Sequence, residues 1–307
     1  MIDAIDQLIL ERLEINCRIS LQELAKLSGI SANAVKKRID SLIASRIIED
    51  FVVIFSPQMT EEDTVIAILE FRVEQNERKL LKILSRSPSV HKVSRLLDGR
   101  YIVFGVYFEH EELESLAEHL GKLPGIRNVE MHFRFLHYWG GKIDLTSSYR
   151  GILRCLLDEP RIPISEIVRK TGLESNTIKE SIKHMRASEA VLFTINISDD
   201  LSERNTEVLA KVQWNVGKTS KEEVLTWLQD QFGTLRLDEC VSATEPTLFF
   251  HFSVKHVQEI GMVTKKTKEF GLVTTIEPLI MFPGTKLPDP RQRRVRELLE
   301  ETGFSPR

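Results

Sequence analysis

The chain of 307 residues carries the same stretch twice, and this repeat limits its architecture more than any single motif does. Residues 5–48 lie over 148–191 at a shift of 143, without a gap, with 12 identities in 44 positions. Among them are Ile9/Ile152, Leu13/Leu156, Arg18/Arg161, Gly29/Gly172, Asn33/Asn176 and Lys36/Lys179, and most other apolar positions match in kind. The same shift carries VIAILEFRV (65–73) onto VLAKVQWNV (208–216). After a three-residue slip it becomes 146 and pairs His110 with His256 and Gly125 with Gly271. One register held across two kinds of segment marks a tandem duplication of a two-part unit.

The first part of each unit is helical. Ile5, Leu8, Ile9 and Leu13 recur at helical spacing. Ser20 then opens LQELAKLSG with Glu23 three residues on, the spacing of a capping box. Gly29 ends that helix and Ser31 caps a third, SANAVKKRIDSLIAS, giving a helix-turn-helix pattern. Ile47 to Phe55 is β-rich and reads as a wing or hairpin. The second part runs strand, helix, two strands around Asp98-Gly99, helix, strand, and the order recurs over 206–282. That is the split βαββαβ, ferredoxin-like order, which carries no catalytic geometry by itself.

Composition narrows the class. Three Cys without a CxxC exclude a disulfide framework and a zinc ribbon, and favour a reducing, cytoplasmic setting. The start, MIDAIDQ, lacks a basic and an apolar signal region. The longest apolar run, around Tyr101 to Phe108, is far short of the ~20 residues of a membrane helix. Net charge is -3, and residues 1–57 hold 7 Lys+Arg against 8 Asp+Glu, so any basic surface is local.

IDAIDQLILERL, RISLQELAKLSGIS, AVKKRI and IIEDF together resemble the winged helix-turn-helix of the Lrp/AsnC-type transcription regulators. In that family such a domain precedes a βαββαβ (RAM-type) ligand-sensing domain, which residues 64–135 resemble. The resemblance implies an α+β chain with two copies of a winged helix-turn-helix followed by a sensor domain. The segments are 1–57 and 64–135, then 145–200 and 206–282, with a basic tail over 285–307. Two departures stand out. Arg46 occupies a position where the family usually has Gly, and family members usually carry one unit per chain and dimerise.

A helical wheel puts Val35, Ile39 and Leu42 on the inner side of the third helix. Its outer pole carries Asn33, Lys37 and Ser41, flanked by Lys36 and Arg38. Asn suits an adenine edge, Lys and Arg reach guanine or phosphate, and Ser31 with the helix N-terminus suits a phosphate. That is the chemistry of a recognition helix on double-stranded DNA; the plainer reading is a solvated charged face. The second copy keeps Asn176 and Lys179 but has Glu180 for Lys37 and Ser181 for Arg38, with Lys183 and His184 in partial compensation. Weaker DNA contact is expected there. In the tail, Asp289-Pro290 reads as a helix start before Arg291, Arg293, Arg294 and Arg296, able to grip phosphate or another subunit, or simply solvated.

In the family, small effectors, often amino acids, bind where βαββαβ domains meet. The matching loop is Asp98-Gly99-Arg100-Tyr101: Arg100 could hold a carboxylate and Asp98 an amino group, while a plain Asp-Gly turn explains the same residues. The second copy has Thr244-Glu245-Pro246-Thr247 there, so a matching pocket is doubtful. Enzyme motifs fail: Gly217-Lys218-Thr219 follows no Gly-rich turn, and His110-Glu111 lacks the second His of a zinc motif. One enzyme class, the siroheme decarboxylases, shares the two-domain build, and His132, Arg134 and His137 could serve a tetrapyrrole. His137-Tyr138-Trp139-Gly140-Gly141 reads more simply as the joint between the copies. The expectation is a DNA-binding regulator with a dimer fused into one chain, no catalytic residue, cofactor or metal, and homo-oligomers formed through the sensor domains. The alternatives are the tetrapyrrole enzyme and a sensor or assembly protein without DNA contact.

Overall fold

A computed structural model describes residues 2–133, 135–136, 140–198, 206–232, 238–242 and 245–300. The first copy runs α1 (Ala4–Ile15), α2 (Leu21–Ser28), α3 (Ala32–Ala44), β1 (Ile48–Phe55) and the one-turn α4 (Pro57–Thr60). It continues with β2 (Asp63–Phe71), α5 (Glu77–Leu84), β3 (Val90–Arg95), β4 (Tyr101–Tyr107), α6 (His110–Gly121), β5 (Ile126–Phe133) and the short β6 (Phe135–Leu136). The second copy opens with α7 (Ser147–Asp158), α8 (Ile164–Thr171), α9 (Ser175–Ala187) and β7 (Val191–Ile197). Then follow β8 (Thr206–Trp214), α10 (Lys221–Phe232), β9 (Asp238–Ser242), β10 (Thr247–Val254), α11 (Val257–Glu269), β11 (Val273–Met281), β12 (Thr285–Lys286) and α12 (Pro290–Glu300).

The compact units join like with like across the copies. One holds Met1–Glu61, Trp139–Leu201 and Arg294–Arg307; the other holds Glu62–Tyr138 and Ser202–Arg293.

In the helical unit, α1 begins at a reciprocal cap in which the Asp3 carboxylate accepts from the Asp6 amide and the Asp6 carboxylate from that of Asp3. Ser20 Oγ accepts from Glu23 N at 3.1 Å to start α2. Gly29 closes α2 at φ +70°, a left-handed conformation that glycine adopts without steric cost, and Gly172 repeats it at +71°. Arg46 and its repeat mate Glu189 also have positive φ, +56° and +54°. The glycine usual at this place in the family has a backbone reason. For a non-glycine residue this conformation costs about 1–2 kcal/mol, and glycine returns about 0.4–1 of it as unfolded-chain entropy. Arg46→Gly is therefore expected to stabilise by about 1 kcal/mol, read as a higher urea midpoint.

β1 does not fold back into a hairpin. It pairs antiparallel with β7 of the second copy, Phe51 opposite Ile195 and Phe55 opposite Val191. A lone alternating strand followed at once by α4 has no local partner, and the repeat supplies one. Ile9, Leu13, Val35, Ile39 and Leu42 of one copy and Ile152, Leu156, Ile178, Met185 and Phe193 of the other share a single buried cluster. The two repeat-related arginines both cross between copies. Arg18 donates to the Ile162 carbonyl at 2.9 Å, and Arg161 lies 5.0 Å above the Phe51 ring.

Within the tail, α12 is docked rather than simply solvated. Asp289 Oδ1 accepts from Arg291 N at 2.9 Å and starts α12. Val295 and Leu299 bury in the helical core. Arg150 and Arg154 of α7 donate to the carbonyls of Leu298 and Leu299, satisfying groups that a helix end leaves open. Arg294 bonds the Thr60 carbonyl. In the other unit Arg291 pairs with Glu62 at 2.7 Å and Arg293 with Glu112 at 3.1 Å. Of the tail arginines named for phosphate, these three already have protein partners.

The second unit holds two antiparallel five-stranded sheets, ordered β5-β2-β4-β3-β12 and β11-β8-β10-β9-β6. Each is the four-stranded βαββαβ sheet plus one strand borrowed from the other copy. Thr285 and Lys286 pair with Val93 and Lys92, and Phe135 and Leu136 with Ser242 and Val241. Each sheet has its own helix-covered core, around Leu69, Val103 and Leu116 in one and Val212, Phe250 and Val263 in the other. The remaining faces pack on each other through Ile66, Ile68, Ile102, Leu209, Phe249 and Leu279. The pairing of sensor sheets that single-unit relatives make between chains is thus made within one, as a fused dimer requires.

Candidate functional site

α3 buries Val35, Ile39 and Leu42 as its periodicity requires, which turns Asn33, Lys36, Lys37 and Ser41 outward and exposed. Ser31 caps the helix, its Oγ accepting from Ala34 N at 3.2 Å. Arg38 departs from the expected groove-facing role. Its guanidinium reaches Asp3 and Asp6 at 2.8 Å each, tying α3 to the start of α1. The Asp6 amide, and then Arg38, hold the Asp3 carboxyl below its ordinary range. Asp40, also exposed, lies on the outward side and sets a limit to the positive face.

α9 keeps the scaffold and changes the face. Asn176, Lys179 and Lys183 are exposed, but Glu180 stands 3.9 Å from Lys183. Glu174 occupies the N-cap without a side-chain capping bond. Ser181, at the place of Arg38, is buried. His184 Nδ1 lies 2.9 Å from the Tyr149 hydroxyl with the rings stacked. Glu174 and Asp40 were overlooked in the sequence, although the shift of 143 reads Glu174 directly against Ser31.

The sensor loop is built as a turn and then closed by its own charges. Gly99 takes φ +88°, and Asp98 accepts from the Arg100 backbone N at 3.0 Å and from Arg100 Nε at 2.9 Å. Arg100 also donates to Glu277 of β11 at 2.6 Å, so a carboxylate from the second copy sits where a ligand's carboxylate was expected. Asp98 and Glu277 together hold the guanidinium well above its usual range. Tyr101 is a correction: it is 3% exposed, set edge-on to Phe71 at 5.8 Å, and belongs to the sheet core. Strand alternation sends it to the helix-covered side while Arg100 stays at the loop end.

The corresponding loop of the second copy reaches the first in turn. Glu245 lies 3.3 Å from His132 Nδ1, and Glu130 lies 3.1 Å from His132 Nε2; Thr244 falls outside the described residues. Lys211, on β8 at the repeat position of Ile68, donates to Glu130. Burial pushes the Glu130 carboxyl up, but the Lys211 ammonium and His132 outweigh it and leave it lowered. His132 is therefore a buried residue held between carboxylates; Arg134, His137, Tyr138 and Trp139 lie outside the described residues. The sequence reading did not single out Glu130, Lys211 and Glu277, because their partners lie on the other sheet. One signal was present, a lone Lys inside VLAKVQW where its repeat mate is Ile68.

Fold and site define a protein with two helix-turn-helix domains and two paired βαββαβ domains in one chain. Residues 2–43 match the AsnC-type helix-turn-helix domain, and residues 150–191 match a winged helix-turn-helix DNA-binding domain. The HTH-type transcriptional regulator LrpA of Pyrococcus horikoshii is 28% identical over 134 residues, 42% of this chain and 93% of the relative. That of Pyrococcus abyssi is 27% identical over the same shares. The first copy is thus similar to regulators of the Lrp/AsnC type, and the chain carries its own two-domain unit twice. Among solved structures, the siroheme decarboxylase NirDL aligns over 96% of this chain and 98% of its own, at TM-score 0.62 and 15% identity, a likeness of fold. Among the described residues no helix is long and apolar enough to cross a membrane.

Proposed function

We propose that this chain is a DNA-binding transcription regulator of the cytoplasm whose reading element is α3. The observation that carries the proposal is a Ser-capped helix with Asn33, Lys36, Lys37 and Ser41 exposed together, within the segment matched by the AsnC-type domain. The test is a fluorescence-anisotropy titration on the DNA upstream of its own gene, at two salt concentrations. Lys36→Ala with Lys37→Ala, leaving Arg38 to hold α1, is expected to weaken binding by about 100-fold and to reduce the salt slope by about two, one per lost cation. Binding that stays unchanged in this variant would sink the assignment.

A small amino-acid-like effector is proposed at Asp98, Gly99 and Arg100. There a ligand carboxylate would compete with Glu277 for the guanidinium, and thereby act on the pairing of the sheets. A rise in melting temperature with one of the twenty amino acids, absent in Arg100→Ala, is the expected sign. Homodimers or larger assemblies are proposed through the outer surfaces of the βαββαβ domains, the inner faces being taken up within the chain.

A second reading, a tetrapyrrole-binding enzyme, is favoured by one observation, the likeness of fold to a siroheme decarboxylase along nearly the whole chain. Against it, both ring nitrogens of His132 already face carboxylates. Titration with haem or siroheme separates the two: a saturable visible band with no DNA binding would favour the enzyme.

A further inference from the structure

Resting on the reading of α3 as a DNA-contacting helix, we infer that each chain meets DNA through one of its two helix-turn-helix domains and reads a single, non-palindromic half-site. A recognition helix approaches the groove with its N-terminal turns, where open backbone amides and the helix dipole favour phosphate. Over those turns α3 presents Ser31, Asn33, Lys36 and Lys37, with no carboxylate before Asp40. At the repeat-related places α9 presents Glu174, Asn176, Lys179 and Glu180.

Asn176 and Lys179 keep the chemistry of Asn33 and Lys36, and the difference falls on the N-cap, the pole and the flank. At the N-cap, Ser31 is replaced by a carboxylate, which suits the positive end of α9 but stands where a phosphate would come. At the pole, Lys37 becomes Glu180, with Lys183 beside it at 3.9 Å. On the flank, Arg38 becomes the buried Ser181, and His184 is held against Tyr149. The buried scaffold of the helix stays: Ile178, like Val35, is fully buried, and so is Met185 at the place of Leu42. Further along Lys183 replaces Asp40, so the change is confined to the N-terminal turns, where Lys36 and Lys37 give way to Lys179 with Glu174 and Glu180. A face that loses its positive charge there while its inner side is kept is a face released from a phosphate partner. Covalent fusion permits this, because β1 and β7 pair the copies inside one chain and the two outer faces need not be the same.

The experiment is a selection of random-sequence duplexes by the full chain, followed by salt-dependent anisotropy on the enriched duplex. Lys37→Ala and Lys179→Ala, both exposed positions, are compared with wild type after circular dichroism has shown the same melting curve. One asymmetric block per bound chain is expected. Lys37→Ala should weaken binding by about 10-fold and lower the salt slope by about one, while Lys179→Ala changes neither. A palindrome, or two blocks about 10 base pairs apart, bound by a single chain as read by sedimentation of the complex, would overturn the inference while leaving the regulator reading in place. So would equal losses in the two variants. Absence of any sequence-preferring, salt-sensitive binding removes the regulator reading itself, and the inference with it.

Discussion

Phe249→Ala is expected to lower the stability of the sheet-containing unit by about 3–5 kcal/mol. The ring is fully buried between the two sheets, edge-on to His132 at 5.0 Å and to Phe135 at 6.0 Å, with Ile66, Ile102 and Leu209 in the same cluster. Its removal opens a cavity that two rigid sheets cannot close, so the loss exceeds the transfer energy of the side chain alone. Urea unfolding followed by tryptophan fluorescence reads it, since Trp214 and Trp227 lie in this unit. Phe249→Leu should cost less than half as much. A cost below about 1 kcal/mol for the alanine variant would mean that the sheets do not pack through this ring.

Glu130→Ala should be nearly as damaging, because it leaves the Lys211 ammonium, with a side chain 11% exposed, without its anion. Removing one partner of a buried pair costs about 3–5 kcal/mol, and water reaching the Glu130 side puts the expectation at the lower end. Lys211→Met, which removes the buried charge and restores the apolar character of Ile68 in the first copy, should be milder. Acid should act on the same unit in two stages. Burial, reinforced by the neighbouring Arg291 charge, holds the His91 imidazole down at about 4, against 6.5 when unfolded. The unfolded chain therefore takes up that proton first, and stability falls as pH drops from 6.5 towards 4. Glu130 and Glu207 are lowered from 4.5 despite burial, by Lys211 and by the bond from His251 respectively. Their contributions are present above pH 4.5 and are lost below it. Urea midpoints from pH 7 to pH 3.5 should show both stages, and His91→Phe should remove the first. A flat profile down to pH 5 in wild type would contradict the burial of this imidazole.

Much of the architecture is legible in the sequence because it rests on short-range rules. The spacing of Val35, Ile39 and Leu42 names the inner side of α3, Ser31 and Gly29 mark helix ends, and alternation in VIAILEFRV gives a strand. The repeat then assigns the second copy by register. Partners chosen over long range are not written this way. Nothing near Ile47–Phe55 says that its strand will pair with Val191–Ile197 instead of turning back. Nothing near Arg38 says that Asp3 and Asp6 will take its charge. Tyr101 was misplaced for a related reason: a residue beside a polar turn can already belong to the strand's inward-facing set. For the outward residues of α3 the sequence identifies chemistry and face, while the choice of DNA sequence depends on a partner absent from the chain.

The exchanged edge strands bear on how the protein can be made. Lys286 pairs with Lys92, and Thr285 with Val93, so the sheet begun at Asp63 is completed only by residues near the far end of the chain. On a ribosome the amino-terminal half, through Leu136, therefore emerges with an open β edge and an uncovered apolar face, and waits for about 150 further residues, to Lys286. Synthesis of either half alone should give material that associates with itself, whereas the two halves co-expressed as separate chains should find each other. Translation speed between the halves, and chaperone access during that interval, then govern yield more than the stability of the finished fold.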